Sequence, residues 1–268
     1  MCIFVCFLKP RCLMKSSRQM EIIDILKRDK IVSTAVLASR FNVSIETIRR
    51  DLDYLEKQYL LKKIYGGAEL YHTNSENIPP LPTRNIQAHA EKEAIAEAAR
   101  DLIPENITLA LDAGSTIGAL CQLLNCRNDL TIICTDVHNA AQLLPSGSRI
   151  YMMGGFLTLD GTSSGTQARE FLSSINDIDL FLFSTDGINP AGGITNDDTL
   201  INDLKKRLIK KSRQKILLAD HTKFNTKGFY KTCDFTEIDV LITDTGTPAD
   251  VIASVRDSCR VITVEPKL

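Results

Sequence analysis

No run of apolar residues in the chain approaches the roughly 18 needed to cross a bilayer as a helix, so a helical membrane protein is excluded. The eight cysteines (2, 6, 12, 121, 126, 134, 233 and 259) form no CxxC pair, and none of the four histidines stands at zinc-ligand spacing. No metal site or dithiol centre is therefore expected. The thiols are read as reduced, with Cys121 and Cys126, on a helix and at its end, packed in a core. The opening MCIFVCFLKPRCL is apolar in part, but it lacks the basic lead and small-residue cleavage site of a secretory signal. An excess of one charge is missing too: the net is -1. That balance conceals a division, since residues 1–72 hold 13 Lys or Arg against 8 Asp or Glu, a surplus of five positive charges, and the remainder carries a surplus of six negative ones. The basic end suits a polyanion, through a field weak enough to need specific contacts as well.

With 268 residues, 44% of them apolar and 24% charged, the chain has the material for two globular domains. Val32 to Leu70 predicts two short helices and a basic hairpin. Ser33 is placed to cap a helix running to about Arg40, with Val36 and Leu37 inward and Phe41 closing the core before the Asn42-Val43-Ser44 turn. From Ser44 a second helix sets Ile45, Ile48, Leu52 and Leu55 on one stripe. Glu46, Thr47, Arg50 and Tyr54 then face the other way, with Arg49 at the flank. Two extended runs around Gly66-Gly67 follow, the first carrying Lys62 and Lys63. An exposed arginine pair on a helix suits double-stranded DNA, because guanidinium reaches two guanine acceptors at once in the major groove. The alternative is a solvated face on which the pair meets Asp53. Upstream, Ser17 opens a further helix to about Asp29.

Ser44, Thr47 to Leu52, Leu55 and the wing ending Gly66-Gly67-Ala68 resemble the N-terminal winged helix-turn-helix (mainly α) of the DeoR family of bacterial transcriptional regulators. Tyr59, Lys63 and Tyr65 depart from the family, which usually has Gly, Arg and His there. Because Tyr59 replaces a glycine, strain or a changed backbone is expected at the turn into the wing. The resemblance implies DNA contacts from Ser33, Ser44, Thr47, Arg49, Arg50, Tyr54, Lys62, Lys63 and Tyr65. It begins near Arg18, so Met14 is read as the start and residues 1–13 as a disordered extension, with the DNA-binding domain at 14–71. Residues 72–90, with prolines at 79, 80 and 82, read as a linker whose stiffness would help transmit a change between domains.

From Glu91 (domain 91–268) a helix with Ile95, Ala98, Ala99 and Leu102 on one side leads into six short apolar strands, ITLAL, TIIC, RIYMM, DLFLF, KILLA and VLIT. Helices, among them 116–124 and 198–211, separate them. This is the pattern of an α/β domain with a mostly parallel sheet, whose ligands bind outside the carboxyl ends of the strands. The strand-end residues are Asp112, Gly114, Ser115 and Thr116; Thr135 and Asp136; Gly154 and Gly155; Asp186 and Gly187; and Lys223. Gly114, two hydroxyls and a helix start suit a phosphate, with Lys223 to neutralise it. LDAGST (111–116), MGGFL (153–157), TDGI (185–188), GGIT (192–195), LADHTKF (218–224) and LITD (241–244) again resemble the DeoR family, now its sensor domain. That domain is similar to the ribose-5-phosphate isomerase and glucosamine-6-phosphate deaminase group, and the resemblance implies a phosphorylated sugar or related metabolite as effector. Where the family commonly has Thr-Asn, this chain has Thr135-Asp136, and Asp136 is expected to meet sugar hydroxyls or a lysine.

The expected function is a cytoplasmic, cofactor-free, homo-oligomeric regulator, a repressor of a carbohydrate-utilisation operon. The alternative is a sugar-phosphate isomerase or deaminase with Asp186 as base. Its set is incomplete: Asn189 stands where the isomerases have a second Asp, no Lys lies between Ile188 and Gly192, and Asn196-Asp197-Asp198 follow in place of the Glu. A purely architectural DNA-binding protein would have no use for five strand-end loops.

Overall fold

The computed structural model describes residues 17–29, 31–57, 61–64, 66–70, 87–158 and 160–267. Tyr59, Tyr65 and most of 72–90 lie outside them, as does the stretch 1–13. The chain divides into two compact units, Met1–Thr83 and Arg84–Leu268.

In the first unit α1 (Ser17–Asp29), β1 (Ile31–Ser33), α2 (Thr34–Phe41) and α3 (Ile45–Lys57) precede β2 (Leu61–Ile64) and β3 (Gly67–Leu70). The core is Ile22, Ile23 and Leu26 of α1 against Leu37, Ile48, Leu52 and Leu55. Ser33 caps α2 as expected, its Oγ accepting from the Val36 N–H at 3.2 Å. Asn42 closes the helix in the left-handed region, a conformation its short polar side chain tolerates. Ser44 Oγ accepts from the Thr47 N–H at 3.2 Å at the start of α3.

Two expected core positions are wrong: Val36 is 58% exposed and Ile45 46%. Leu37 and Ala38 fill the α2 interface instead, and Ile45 lies in the first turn of α3, ahead of the part that packs. β1 was not foreseen. Three residues are too few to show an alternation, yet β1 pairs antiparallel with β3 and makes the hairpin a three-stranded sheet, ordered β1-β3-β2. Gly67 sits at that junction because a Cβ there would stand 2.3 Å from the Val32 carbonyl oxygen.

The second unit is a three-layer α/β domain. Its elements are α4 (His89–Arg100), β4 (Thr108–Leu111), α5 (Ser115–Leu123), β5 (Thr131–Cys134), α6 (Val137–Leu143), β6 (Arg149–Met152), β7 (Phe156–Leu157), β8 (Ser163–Ser164), α7 (Thr166–Ser174) and β9 (Ile178–Phe183). There follow β10 (Gly187–Asn189), β11 (Gly193–Asn196), α8 (Thr199–Lys211), β12 (Ser212–Leu218), β13 (Tyr230–Cys233), β14 (Val240–Asp244), α9 (Ala249–Arg256) and β15 (Arg260–Val264). The six expected strands form the sheet with β15 as an unexpected seventh, in the order β15-β14-β12-β9-β4-β5-β6. Every pairing in it is parallel.

Both faces are covered, which is why the strands read as unbroken apolar runs. Leu109, Leu111, Leu180 and Leu182 point to the side packed by α4, α5 and α6. Ala110, Phe181 and Phe183 point to the side packed by α7, α8 and α9. Cys121, Cys134, Cys233 and Cys259 are buried, and burial pushes their thiols up, Cys134 and Cys233 to about 12. Cys126, expected in the core, is exposed, because it lies on a 3-10 turn that has left the packed face of α5.

Candidate functional site

On the first unit, α3 is held by its inner face and presents its outer one. Asp51, within the Thr47–Leu52 motif, is 6% exposed and accepts from Arg18 Nε at 2.6 Å and Gln19 Nε2 at 2.9 Å. Its role is to lock α3 to α1. Arg49 and Arg50 stand outward with side chains 63% and 80% exposed, each near Glu46, at 3.7 and 4.0 Å. Asp53, which might have drawn the pair in, is bonded to Lys63 Nζ instead. That contact raises the Lys63 ammonium. The Lys63 N–H also donates to Glu56 at 2.8 Å, so this lysine is tethered to α3. Ser33 is engaged as a helix cap and Ser44 bonds the Thr47 hydroxyl as well, at 2.9 Å, while Tyr54 is half-buried. The Lys62 side chain and Tyr65 lie outside the described residues. A cavity of about 300 Å³ opens between the start of α2, α3 and the wing, with Ile45, Arg49 and Lys63 on its wall. Exposed Ile45, expected in the core, is thus an apolar neighbour of the basic face.

In the second unit the strand order reverses between β4 and β9: β4, β5 and β6 step one way, and β9, β12, β14 and β15 the other. The crevice at such a switch point is where open α/β sheets bind ligands. Here it lies between the loops at Asp112 and Ser184. Asp112 is 1% exposed and accepts from the Ser184 N–H at 3.1 Å and from Lys205 Nζ at 2.9 Å. Lys205 also donates to the Ser184 carbonyl at 2.7 Å, so one buried ammonium ties both loops together. Lys205 was missed by sequence reasoning, although a lysine on the Ile201-Leu204-Leu208 stripe of α8 is itself a signal.

Gly114, at φ 108°, is the N-cap of α5, whose first amides have no side-chain cap. The Ser184 hydroxyl would stand 3.0 Å from a Cβ at that position. Ser115 is half-buried and Thr116 buried. Thr135, at the end of β5, is buried, and Asp136 is 2% exposed and caps α6 through the Asn139 N–H at 2.8 Å. Burial pushes its carboxyl up. The carboxylate expected to meet sugar hydroxyls or a lysine is thus occupied as a helix cap. Asp186 accepts from Asn196 Nδ2 at 2.9 Å and the Asp197 N–H at 3.1 Å. Lys223 lies on a 3-10 turn (His221–Asn225) after β12, and the Thr226 hydroxyl bonds the carbonyls of both Asp186 and Lys223. Gly187 passes so close to this loop that a Cβ would meet the Thr226 carbonyl oxygen at 2.5 Å. The Asp112–Thr116, Ser184–Gly187 and Lys223 loops therefore come together. Gly154 and Gly155 follow the edge strand β6, about 10 Å from β4 at ordinary strand spacing, and approach only through the β7–β8 hairpin.

Asp136→Asn should make the chain more stable at neutral pH. Asn keeps the cap acceptor, and the buried charge disappears. With the folded carboxyl raised above its unfolded value, the ionised form is penalised, so the gain should be full above the folded pKa and vanish below the unfolded one, near pH 4. Thermal melts from pH 4 to 8 measure it; an asparagine variant less stable at pH 8 would mean that the charge is satisfied.

The description "DeoR-like helix-turn-helix domain" matches residues 18–74, and "DeoR C terminal sensor domain" matches 87–245. The HTH-type transcriptional regulator GolR of Listeria innocua is 33% identical over 85% of this chain and 89% of its own. The L-fucose operon activator of Escherichia coli is 32% identical over 86% and 96%, and that organism's glycerol-3-phosphate regulon repressor 31% over 91% and 96%. Among solved structures, ribose 5-phosphate isomerase A of Methanocaldococcus jannaschii overlays 52% of this chain and 55% of its own, at 15% identity and a TM-score of 0.36.

Proposed function

This chain belongs to the DeoR family of transcriptional regulators, and from that premise we propose that it represses a carbohydrate-utilisation operon, binding operator DNA through α3 and the wing and a phosphorylated sugar or polyol through the sensor unit. The observation that carries the effector half is the uncapped, glycine-entered N-terminus of α5 at the topological switch point, since free helix amides and the helix dipole favour a phosphate. Relatives named for fucose and glycerol-3-phosphate systems support the carbohydrate class. One of these two relatives is named an activator and the other a repressor, so they support the operon class and the repressor reading does not rest on them.

Turnover is not part of the proposal. Asp186, the base an isomerase would need, already accepts two hydrogen bonds, and Asp112 is paired with Lys205. No helix among the described residues is long and apolar enough to cross a membrane. A homo-oligomer is part of it, because one short reading helix contacts too few bases to select a site in a genome.

The test is fluorescence anisotropy of operator DNA with the full chain, titrated with sugar phosphates. The effector should weaken operator binding about 5- to 150-fold, and operator should weaken effector binding by the same factor, as linkage requires. A ligand that binds without changing operator affinity would refute the regulatory role, and appearance of product would restore the enzyme.

A further inference from the structure

Buried hydroxyls in the sensor unit generally find partners. Thr185 Oγ1 bonds the Thr195 carbonyl at 2.7 Å, Thr232 Oγ1 bonds Asn196 Oδ1 at 2.9 Å, and Ser212 Oγ bonds the Leu208 carbonyl at 2.7 Å. Three others break that pattern in one place. Thr135, Ser163 and Ser164 are each 1% exposed, and none of their hydroxyls has a hydrogen-bond partner among the described residues. They belong to one hydrogen-bonded patch, because the Ser163 N–H donates to the Thr135 carbonyl at 2.6 Å and Asp136 bridges Thr162 beside it. The patch borders the switch point, since the Thr135 N–H bonds the Leu111 carbonyl and Leu111 leads into Asp112 and Gly114.

The patch also opens a second helix of the α5 kind. Gly165, at φ 100° and ψ -167°, is the N-cap of the nine-residue α7, and like Gly114 (φ 108°, ψ 168°) it offers no side-chain cap to the first amides. Ser163 and Ser164 are the two residues immediately before it. The Asp136–Thr162 bridge sets Thr135 opposite Ser163, so these two side chains share a face and Ser164, the next residue of β8, takes the other. A hydroxyl both donates and accepts, so a partnerless pair matches the hydroxyls of a polyol, whereas the oxygens of a phosphate mainly accept.

We propose that Thr135 and Ser163, with the amides opening α7, form a subsite that binds the hydroxyl-bearing carbons of the sugar or polyol whose phosphate rests on the N-terminus of α5. This rests on the effector role of the sensor unit. The hairpin that carries Ser163 has two-residue strands and is tied to the end of β5 and the start of α6 by the Thr135–Ser163 and Val137–Gly161 backbone bonds, so the local shift that admits a ligand breaks few bonds.

Removing a hydroxyl that nothing satisfies should not harm the empty protein, which separates a binding role from a structural one. Ser163→Ala, Ser164→Ala and the isosteric Thr135→Val are compared with the full-length wild type by thermal melts and calorimetric titration. The probes are inorganic phosphate, glycerol 3-phosphate and fructose 1-phosphate. Each variant should melt, without ligand, at or above the wild-type temperature. Affinity for whichever organic phosphate binds best should fall about 3- to 10-fold for Thr135→Val and for Ser163→Ala and hold for the opposite-face control Ser164→Ala, with affinity for inorganic phosphate unchanged. For Thr135→Val and Ser163→Ala, a ligand-free melting temperature several degrees lower, an equal loss for inorganic phosphate, or unchanged affinity for the organic phosphates would each overturn the subsite while leaving the effector role standing. If none of the probes binds the wild type, the effector role falls, and the subsite with it.

Discussion

Lys205→Met should cost the sensor unit about 3 to 5 kcal/mol, the usual penalty for removing one partner of a buried ion pair. Methionine matches the length of the lysine stem and adds no branch, so packing changes little. What remains is the Asp112 carboxylate, 2% exposed at its side chain, with the Ser184 N–H at 3.1 Å as its remaining described backbone donor. The Ser184 carbonyl loses its ammonium donor as well. Because that carbonyl and that carboxylate close the β4 and β9 loops over the switch point, ligand-dependent stabilisation should weaken together with the fold. Lys205→Met/Asp112→Asn removes both charges and should recover much of the loss, since the stranded charge, more than the missing attraction, is what destabilises. Urea titration followed separately in each unit measures this, with the DNA-binding unit unaffected. A single variant within about 1 kcal/mol of wild type would show that water reaches Asp112.

The double change Arg49→Ala/Arg50→Ala should reduce affinity for the operator by about 100-fold or more, since each base-reading arginine is worth about 1 to 3 kcal/mol. Stability should hardly move. Both guanidinium groups are exposed and their pairing with Glu46 at 3.7 and 4.0 Å is a surface contact, of the kind that contributes little. Lys63→Ala supplies the contrast. Its ammonium is tethered to Asp53, so contact with phosphate competes with an existing bond, and its loss should be smaller and equal on all sequences. Anisotropy with operator and scrambled duplexes at several salt concentrations distinguishes these outcomes. If the double variant loses the same factor on both duplexes, its arginines contact phosphate and the reading face lies elsewhere, with exposed Ile45 at the start of α3 the next residue to examine.

Much of the fold was written locally, and there the sequence sufficed. The Ser33 cap, the bounds of α2 and α8, the stripe of Ile48, Leu52 and Leu55, and six of the seven parallel strands all follow from side-chain periodicity and capping within a few residues. So do the strand-end positions of Gly114, Asp186 and Lys223. Tertiary structure decided what depends on partners distant in the chain. Three residues become β1 only because β3 lies alongside, and Ile45 is exposed because no described element covers the first turn of α3. Asp51 reads as part of a DNA motif until α1 brings up Arg18 and Gln19. The strand order, and with it the crevice between β4 and β9, is invisible in a list of strands, because pairing depends on which apolar faces the helices cover. Lys205 reaches Asp112 across 93 positions, and Ser163 reaches Thr135 across 28. A buried polar group gains its role from whatever desolvates and pairs it, or leaves it unpaired, and that is settled only when the chain has closed around it.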